Sequence, residues 1–345
     1  MHMADALLSP AVGGVMWAVS AGTMAYCSAK VRSGLGDGKA PLMGVLGAFV
    51  FAAQMINFSI PATGSSGHLG GGLLLAILLG PHAAFLTLVS VLLVQALFFA
   101  DGGLLALGCN IFNLGFFPAF IAYPLIYRKI IGNHTQGQRR MTLAAVAAAV
   151  VGLQLGAFGV VMETSLSDIS SLPFGIFLLF MQPIHLAIGL VEGFATAAVV
   201  SYVHRARPEI LYGVFETRPS SASPARNLLV AFLIAALMTG SVVSWFASKH
   251  PDGLEWSIAK VTGSESVPAQ EQGIHTVFAS LQEKLAILPD YGFKKHADAG
   301  NEEQPYPHLG TSVSGFVGGM MTLAIALLCG VLLKKRRGTA SHSSG

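Results

Sequence analysis

The chain begins MHMADALLSP, which makes its second residue a histidine. A free α-amine at position 1, the deprotonated amide nitrogen of residue 2 and the residue 2 imidazole can close two fused chelate rings in one plane. That chelate supplies three nitrogens, and a second imidazole completes a square. Square-planar nitrogen suits Ni(II) or Cu(II), whereas zinc prefers a tetrahedron and magnesium prefers oxygen. His68, within ATGSSGHLGGG, is the natural fourth donor, because the topology derived below puts it on the same side as the N-terminus. Gly64, Gly67 and Gly70 to Gly72 would let backbone come close to such a site; they read equally as a simple turn with tight helix packing. Spacing alone leaves His2 and His68 open as ligands or as hydrogen-bonded packing residues.

A second group lies in MQPIHLAIGLVEGFA, where His185 and Glu192 fall on one helical face. Glu192 belongs near the middle of an apolar segment, where an ionisable group is costly and has a partner or a function. It reads as a hydrogen-bonded lock between helices or as a relay. His185 sits nearer the outer end and could support the metal from behind its ligands. Asn110 and Asn113 in LGCNIFNLG are candidates for hydrogen bonds between helices. Ser66, two residues before His68, is a further polar candidate. His250, His275, His296 and His308 accompany Asp252, Glu255, Glu302 and Glu303 and could collect metal loosely at the membrane surface, but their wide spacing matches no chelate and reads first as a polar loop. His82, His134, His204 and His342 receive no role.

The elements that must position these residues are apolar helices. Of the 345 residues, 53% are hydrophobic and only 11% charged, and the mean hydropathy is +0.64. Soluble domains carry about a quarter of their residues as charges. Apolar segments fall near 10–29, 41–59, 69–80, 82–100, 104–127, 141–162, 178–203, 226–247 and 313–333, and most have the length to cross a bilayer. The segment at 69–80 is short and must be tilted, buried or continuous with its neighbour. Basic residues cluster at Lys30/Arg32/Lys39, Arg128/Lys129/Arg139/Arg140, Arg205/Arg207 and Lys334 to Arg337. Such clusters mark cytoplasmic loops. Nine crossings, with the N-terminus outside and the C-terminus inside, put all four clusters in the cytoplasm. The loops holding His68, Asp101 and residues 248–312 then lie outside. The fold class is therefore all-α integral membrane.

Residues 1–203 read as a seven-helix bundle, 204–225 as a polar cytoplasmic linker and 226–335 as a two-helix module framing the external loop 248–312. Inside that loop, HPDGLEWSIAKVTG reads as a turn leading into a short helix, with Pro251 in its first turn and Leu254, Ile258 and Val261 on one face. TVFASLQEKLAILPD is a second amphipathic piece, and both belong on the outer membrane surface or on the helical body. The opening has no basic leader and no small-residue cleavage site, so the mature chain is expected to start at Met1. The three cysteines, Cys27, Cys109 and Cys329, lie scattered in apolar segments and read as packing residues. Net charge is only +3 and is spread over the interhelical clusters, which argues against nucleic-acid binding. There is no HExxH, GxSxG or GK[ST] glycine loop, which disfavours hydrolases and nucleotide-driven motors within this chain. An intramembrane metalloenzyme would need an open metal position beside a general base; a four-nitrogen plane is closed.

The MHMADALLSP opening, the glycine-rich stretch with His68, ALFFADGGLLALGCNIFNLG and HLAIGLVEG together resemble the metal-binding S component of group I energy-coupling-factor transporters, the NikM and CbiM proteins. WFASKHPDGLEWSIAKVTG between two spans resembles the small NikN/CbiN partner, so the chain resembles a fused NikMN type over residues 1 to about 335. The resemblance implies a planar site in which Met1 gives its amine, His2 its backbone nitrogen and imidazole, and His68 its imidazole. It implies no resident cofactor and no chemical turnover, with Ni2+ or Co2+ as the transported substrate. It further implies a membrane coupling subunit and two ATPase subunits as partners, and a bacterial inner-membrane location. The NikN-like loop would lie over the outer face and assist metal loading. Many relatives read MHI followed by Pro-Asp or Met-Glu where this chain has MHMADALL, which leaves the ligands intact and blurs the metal.

Overall fold

A computed structural model describes residues 2–34, 39–132, 137–211, 223–268, 273–294 and 307–335. Met1, most of the segment linking the two halves, and His134, His296 and His342 lie outside the described residues. Among the described residues the fold is all-α with one small hairpin. Its helices are α1 (Pro10–Gly34), α2 (Lys39–Gln54), α3 (Gly72–Leu79), α4 (Pro81–Phe98), α5 (Leu107–Ile131), α6 (Gln138–Ser167) and α7 (Phe174–Ala206). After them come α8 (Ser223–Ser241), α9 (Gly253–Thr262), α10 (Ile274–Leu285) and α11 (Pro307–Lys335). Among the described residues, α4, α5, α6, α7 and the stretch His308–Leu333 of α11 are long and apolar enough to cross a membrane. In hydrocarbon every backbone polar group must be satisfied within the protein, which is why these runs become helices.

Two departures from the sequence reading, and one choice among the alternatives it left open, have local causes. The apolar run expected at 41–59 stops being helical at Gln54 and gives way to an antiparallel hairpin. In it β1 (Phe58–Ile60) pairs with β2 (Ser65–Gly67), Phe58 opposite Gly67 and Ile60 opposite Ser65. The short segment before residue 80 is a separate helix, α3, buried at all its residues. It is cut from α4 by Gly80 at φ 80° and ψ 161°, with Pro81 opening the next helix. Pro251 lies outside the helix it was expected to start; the N-cap is Asp252, in a capping box with Glu255.

In α5, Pro118 and Pro124 remove two backbone donors, and the helix runs wide past them; the Arg128 N–H reaches back to the Tyr123 carbonyl. The C-terminal helices α8 and α11 pack on α2 and on each other. Their crossing is close enough that a Cβ on Gly315 would stand 2.1 Å from the Gly240 carbonyl oxygen. The loop between them docks on the body. Helix α9 rests on α7 and β2, and α10 on the end of α4.

Candidate metal centre

The N-terminal stretch is not a loose tail. Met3, Leu7 and Leu8 are buried in the core, and His275 of α10 bonds the Leu8 carbonyl through Nε2 at 2.9 Å. Asn110, near the start of α5, holds Met3 from both sides. Its Oδ1 accepts from the Met3 N–H at 2.8 Å and its Nδ2 donates to the Met3 carbonyl at 3.2 Å. The Gly103 N–H adds a bond to the same carbonyl at 2.9 Å, and Asp5 accepts from the Ala106 N–H at 2.9 Å. The expectation that Asn110 links two helices is thus corrected: its side chain fixes the chain terminus. Asn113 does bond across helices, donating to Glu163 at 2.7 Å.

This anchoring delivers His2 to His68. The two imidazoles stack with centroids 5.0 Å apart and planes inclined by 10°. Nδ1 of His2 lies 3.0 Å from Asp101 Oδ1, while its Nε2 is buried with no hydrogen-bond partner. Tyr291 donates to the other Asp101 oxygen at 2.6 Å and stacks on Phe99 at 5.0 Å. Burial alone would raise the Asp101 carboxyl, but the His2 imidazole and the bonds from His2 and Tyr291 outweigh it and hold the group below the usual carboxylate range. Burial and the Asp101 charge push Tyr291 up, so it stays a donor.

His68 follows β2, and its Nδ1 faces the Leu69 carbonyl at 3.2 Å. A carbonyl can only accept, so Nδ1 carries the proton and Nε2 presents its lone pair. Burial, with the neighbouring His2, lowers the His68 pKa to about 3, leaving the ring neutral at physiological pH. Asp252 Oδ2 stands 3.9 Å from that Nε2.

The turn carrying His68 is pinned from two sides. Glu192 on α7 accepts from the Gly70 and Gly71 N–H groups at 2.8 and 3.1 Å. Gln54 donates to the Gly70 carbonyl at 2.8 Å and accepts from Gln95 at 2.9 Å. Gly71 has φ 74°, and a Cβ there would meet Val50 at 2.5 Å, so glycine is required by backbone and space together. Ser66 donates to the His250 carbonyl at 2.8 Å while its N–H bonds Pro251, tying the hairpin to the loop. Trp256 adds a bond from its indole N–H to the Thr63 carbonyl at 3.0 Å.

His185 is fully buried, with Nδ1 on the Met181 carbonyl at 2.8 Å and Nε2 without a partner. Its ring abuts Gly253, and it lines a void of about 10 Å³ together with His68 and Asp252. Beside it lies an open cavity of about 780 Å³, bordered by His2 and His68 and by the carboxylates Asp5, Asp101, Asp252, Glu255 and Asp290. The structure therefore brings together His2, His68, Ser66, Glu192, Asn110 and His185 around one turn, while Met1 falls outside the described residues. It adds Asp101, Asp252, Tyr291, Gln54 and Gln95, none of which the sequence reading placed at the site. Two near-parallel imidazoles thus border a cavity that is also lined by five carboxylates.

These features define a multi-pass membrane protein in which the N-terminal stretch, a glycine turn and a C-terminal loop meet around two histidines. Residues 2–210 match the family model described as the CbiM cobalt uptake substrate-specific transmembrane region, and residues 226–335 match the PDGLE domain. The chain belongs to the CbiM family and carries a PDGLE domain behind it. A NikMN-named protein of Archaeoglobus fulgidus is 32% identical over 94% of this chain and 96% of its own length. The fused nickel transport protein NikMN of Rhodobacter capsulatus is 29% identical over 84% of this chain and 88% of its own. A crystal structure of a transition metal transporter superposes with a TM-score of 0.54 at 30% identity, over 64% of this chain and 100% of that one.

Proposed function

We propose that this chain is the substrate-capturing membrane subunit of an energy-coupling-factor importer for Ni2+. The observation that carries the reading is the near-parallel approach of His2 and His68 in the lining of a carboxylate-rich cavity. Kinship with a transporter named for nickel supports it, as does the family's description as a metal uptake region. The Met1 amine, the His2 amide nitrogen and imidazole Nδ1, and His68 Nε2 form the square plane. Only Nδ1 of His2 can close a six-membered ring with its own amide nitrogen, so the metal must take Nδ1 from Asp101. Displacing an amide proton favours Ni(II) over Co(II), which puts cobalt second. The positive-inside arrangement of nine crossings places the site outside the bacterial inner membrane, and residues 1–203 and 226–335 are the metal-binding and loop-bearing units. A separate coupling subunit and two ATPases supply the energy, so the chain itself transports and does not catalyse.

The test is an N-terminal extension by one residue. It should abolish the planar Ni(II) absorption spectrum of the purified chain while leaving its melting temperature unchanged; an unaltered spectrum overturns the ligand set. His68→Ala should likewise remove one nitrogen from the spectrum.

A further inference from the structure

Helix α10 has three faces where a docked surface helix needs two. His275 and Gln282 face the body. His275 bonds the Leu8 carbonyl at 2.9 Å, and Gln282 donates to the Ala96 and Gly102 carbonyls at 2.8 and 2.7 Å. Thr276 and Ala279 border the large cavity, and Ser280, Glu283 and Lys284 follow on an exposed polar side. The remaining side carries Ile274, Val277, Leu281 and Leu285, all exposed. At 3.6 residues per turn these four cover an arc of roughly 80°, about a quarter-turn from His275 and Gln282 and turned away from the cavity. A helix that only packs on a protein body puts its apolar stripe inward. In α10 a histidine and a glutamine make much of that contact, and the stripe is left outside.

Contacts at its C-terminal end set the height of the stripe at the ends of the membrane-crossing helices. The Ile287 and Leu288 N–H groups, just past α10, bond the carbonyl of Phe98, the last residue of α4. Phe293 lies against Gly310 in the first turn of α11, where a Cβ would meet its ring at 3.5 Å. Two residues further along α11, Ser312 accepts the indole N–H of Trp245 at 2.8 Å, and the neighbouring Phe246 is 82% exposed. Tryptophan at the end of a crossing helix sits at the membrane–water boundary. Leu309, Phe316 and Met320 are exposed on one face of α11. The exposed Ile287 and Phe293 therefore lead from the α10 stripe to the lipid-facing flank of a crossing helix.

We propose that α10 is a membrane-surface helix: Ile274, Val277, Leu281 and Leu285 enter the boundary between headgroups and acyl chains, while Glu283 and Lys284 stay in water. The partner of the stripe is phospholipid. Hydrocarbon ends at this height on α4 and α11, and the basic Lys284 and Lys294 beside the stripe suit anionic headgroups. Through His275, Thr276 and Gln282 the same helix forms one wall of the cavity that His2 and His68 line. The bilayer thereby holds that wall in place from the side opposite the cavity.

The test is quenching of a small thiol-attached fluorophore on the full chain in vesicles of phosphatidylethanolamine and phosphatidylglycerol. It is attached in turn to Val277→Cys, Leu281→Cys and Ser280→Cys, all at exposed positions. The parent chain, whose cysteines are buried or partly buried, gives the background to subtract. A phospholipid spin-labelled high on its acyl chain should quench the dye at 277 and 281 at least about threefold more than at 280, with aqueous iodide showing the reverse order. Equal iodide quenching at all three positions puts the stripe in water and overturns the proposal. A dye at 277 shielded from both quenchers is covered by protein, a second copy or another chain, and overturns it too. Leu281→Ser combined with Leu285→Ser should cut lipid quenching at 277 by about half or more. Unchanged quenching there would mean that the stripe does not hold the helix in the bilayer.

Discussion

Asn110 grips the Met3 peptide at both ends, accepting its N–H at 2.8 Å and donating to its carbonyl at 3.2 Å, with both residues buried. A terminus without such a clamp would sample many conformers, and each would have to be lost when a metal gathers the amine, amide and imidazole. The clamp therefore acts as preorganisation. Asn110→Ala leaves the buried Met3 N–H without its partner, at about 1–3 kcal/mol, and the Met3 carbonyl with only the Gly103 bond. Isothermal titration with Ni2+ should show an affinity at least about tenfold weaker, with His68 still ligating in the absorption spectrum. Full affinity in a folded Asn110→Ala protein would show that the remaining Gly103 bond suffices.

Glu192 plays the matching part for His68. It is 1% exposed, and its two oxygens take the N–H groups of Gly70 and Gly71. Glu192→Gln keeps the volume but offers only one acceptor oxygen and turns an amide NH2 toward a backbone N–H. A buried N–H left without its acceptor costs about 1–3 kcal/mol, so thermal unfolding in detergent should begin several degrees lower. Nickel affinity should fall with it, because the turn that aims His68 is loosened. A relay role for Glu192 would instead leave binding intact and stop transport alone, which uptake in reconstituted vesicles with the partner subunits separates.

Most apolar segments of the sequence lie on the observed helices, because hydrocarbon requires every backbone polar group to be satisfied within the protein; the run at 41–59 leaves the helix at Gln54. The hairpin at residues 58–67 was illegible: its strands have three residues each and are made partly of serine and glycine. His2 and His68 were legible as a pair through chelate chemistry, which needs no fold to suggest it. Asp101 and Asp252 were not, since each reads locally as a turn residue before glycine. One joins the site through Tyr291 and His2, the other through a loop from the far end of the chain. The capping pattern of Asp252 and Glu255 was present in the sequence. It could have fixed the start of α9, but not what α9 would touch.

The pKa of His68, lowered to about 3 in the folded chain by burial and the adjacent His2, makes acid stability a readout of the site. The unfolded chain binds a proton near pH 6.5 that the folded chain refuses. The folded state therefore holds its full stability above that pH and loses it progressively as pH falls toward 3. Asp101 and Asp252, held below the usual carboxylate range, add a further loss below about pH 4. The melting temperature of the metal-free protein should fall from pH 6.5 to 4.5, and His68→Gln should flatten that slope. A parent and variant with parallel slopes would show that His68 titrates normally.

Two glycines with nearly the same positive φ separate geometry from contact. Gly64 and Gly71 have φ of 75° and 74°, yet a Cβ on Gly64 would meet nothing within 4 Å while one on Gly71 would stand 2.5 Å from Val50 Cγ1. Placing a side chain at positive φ costs about 1–2 kcal/mol at either position. Gly64→Ala should show that cost alone, as a modest drop in melting temperature with nickel affinity retained. Gly71→Ala adds a clash with α2 and displaces the N–H that bonds Glu192. It should therefore unfold at clearly lower temperature and bind nickel more weakly than Gly64→Ala. Val50→Ala in the Gly71→Ala background removes the clash but not the strain, so it should recover only the difference between the two single variants. Recovery to the parent level would mean the positive φ carries no cost here, and equal melting of the two single variants would mean the loop moves away from Val50 freely.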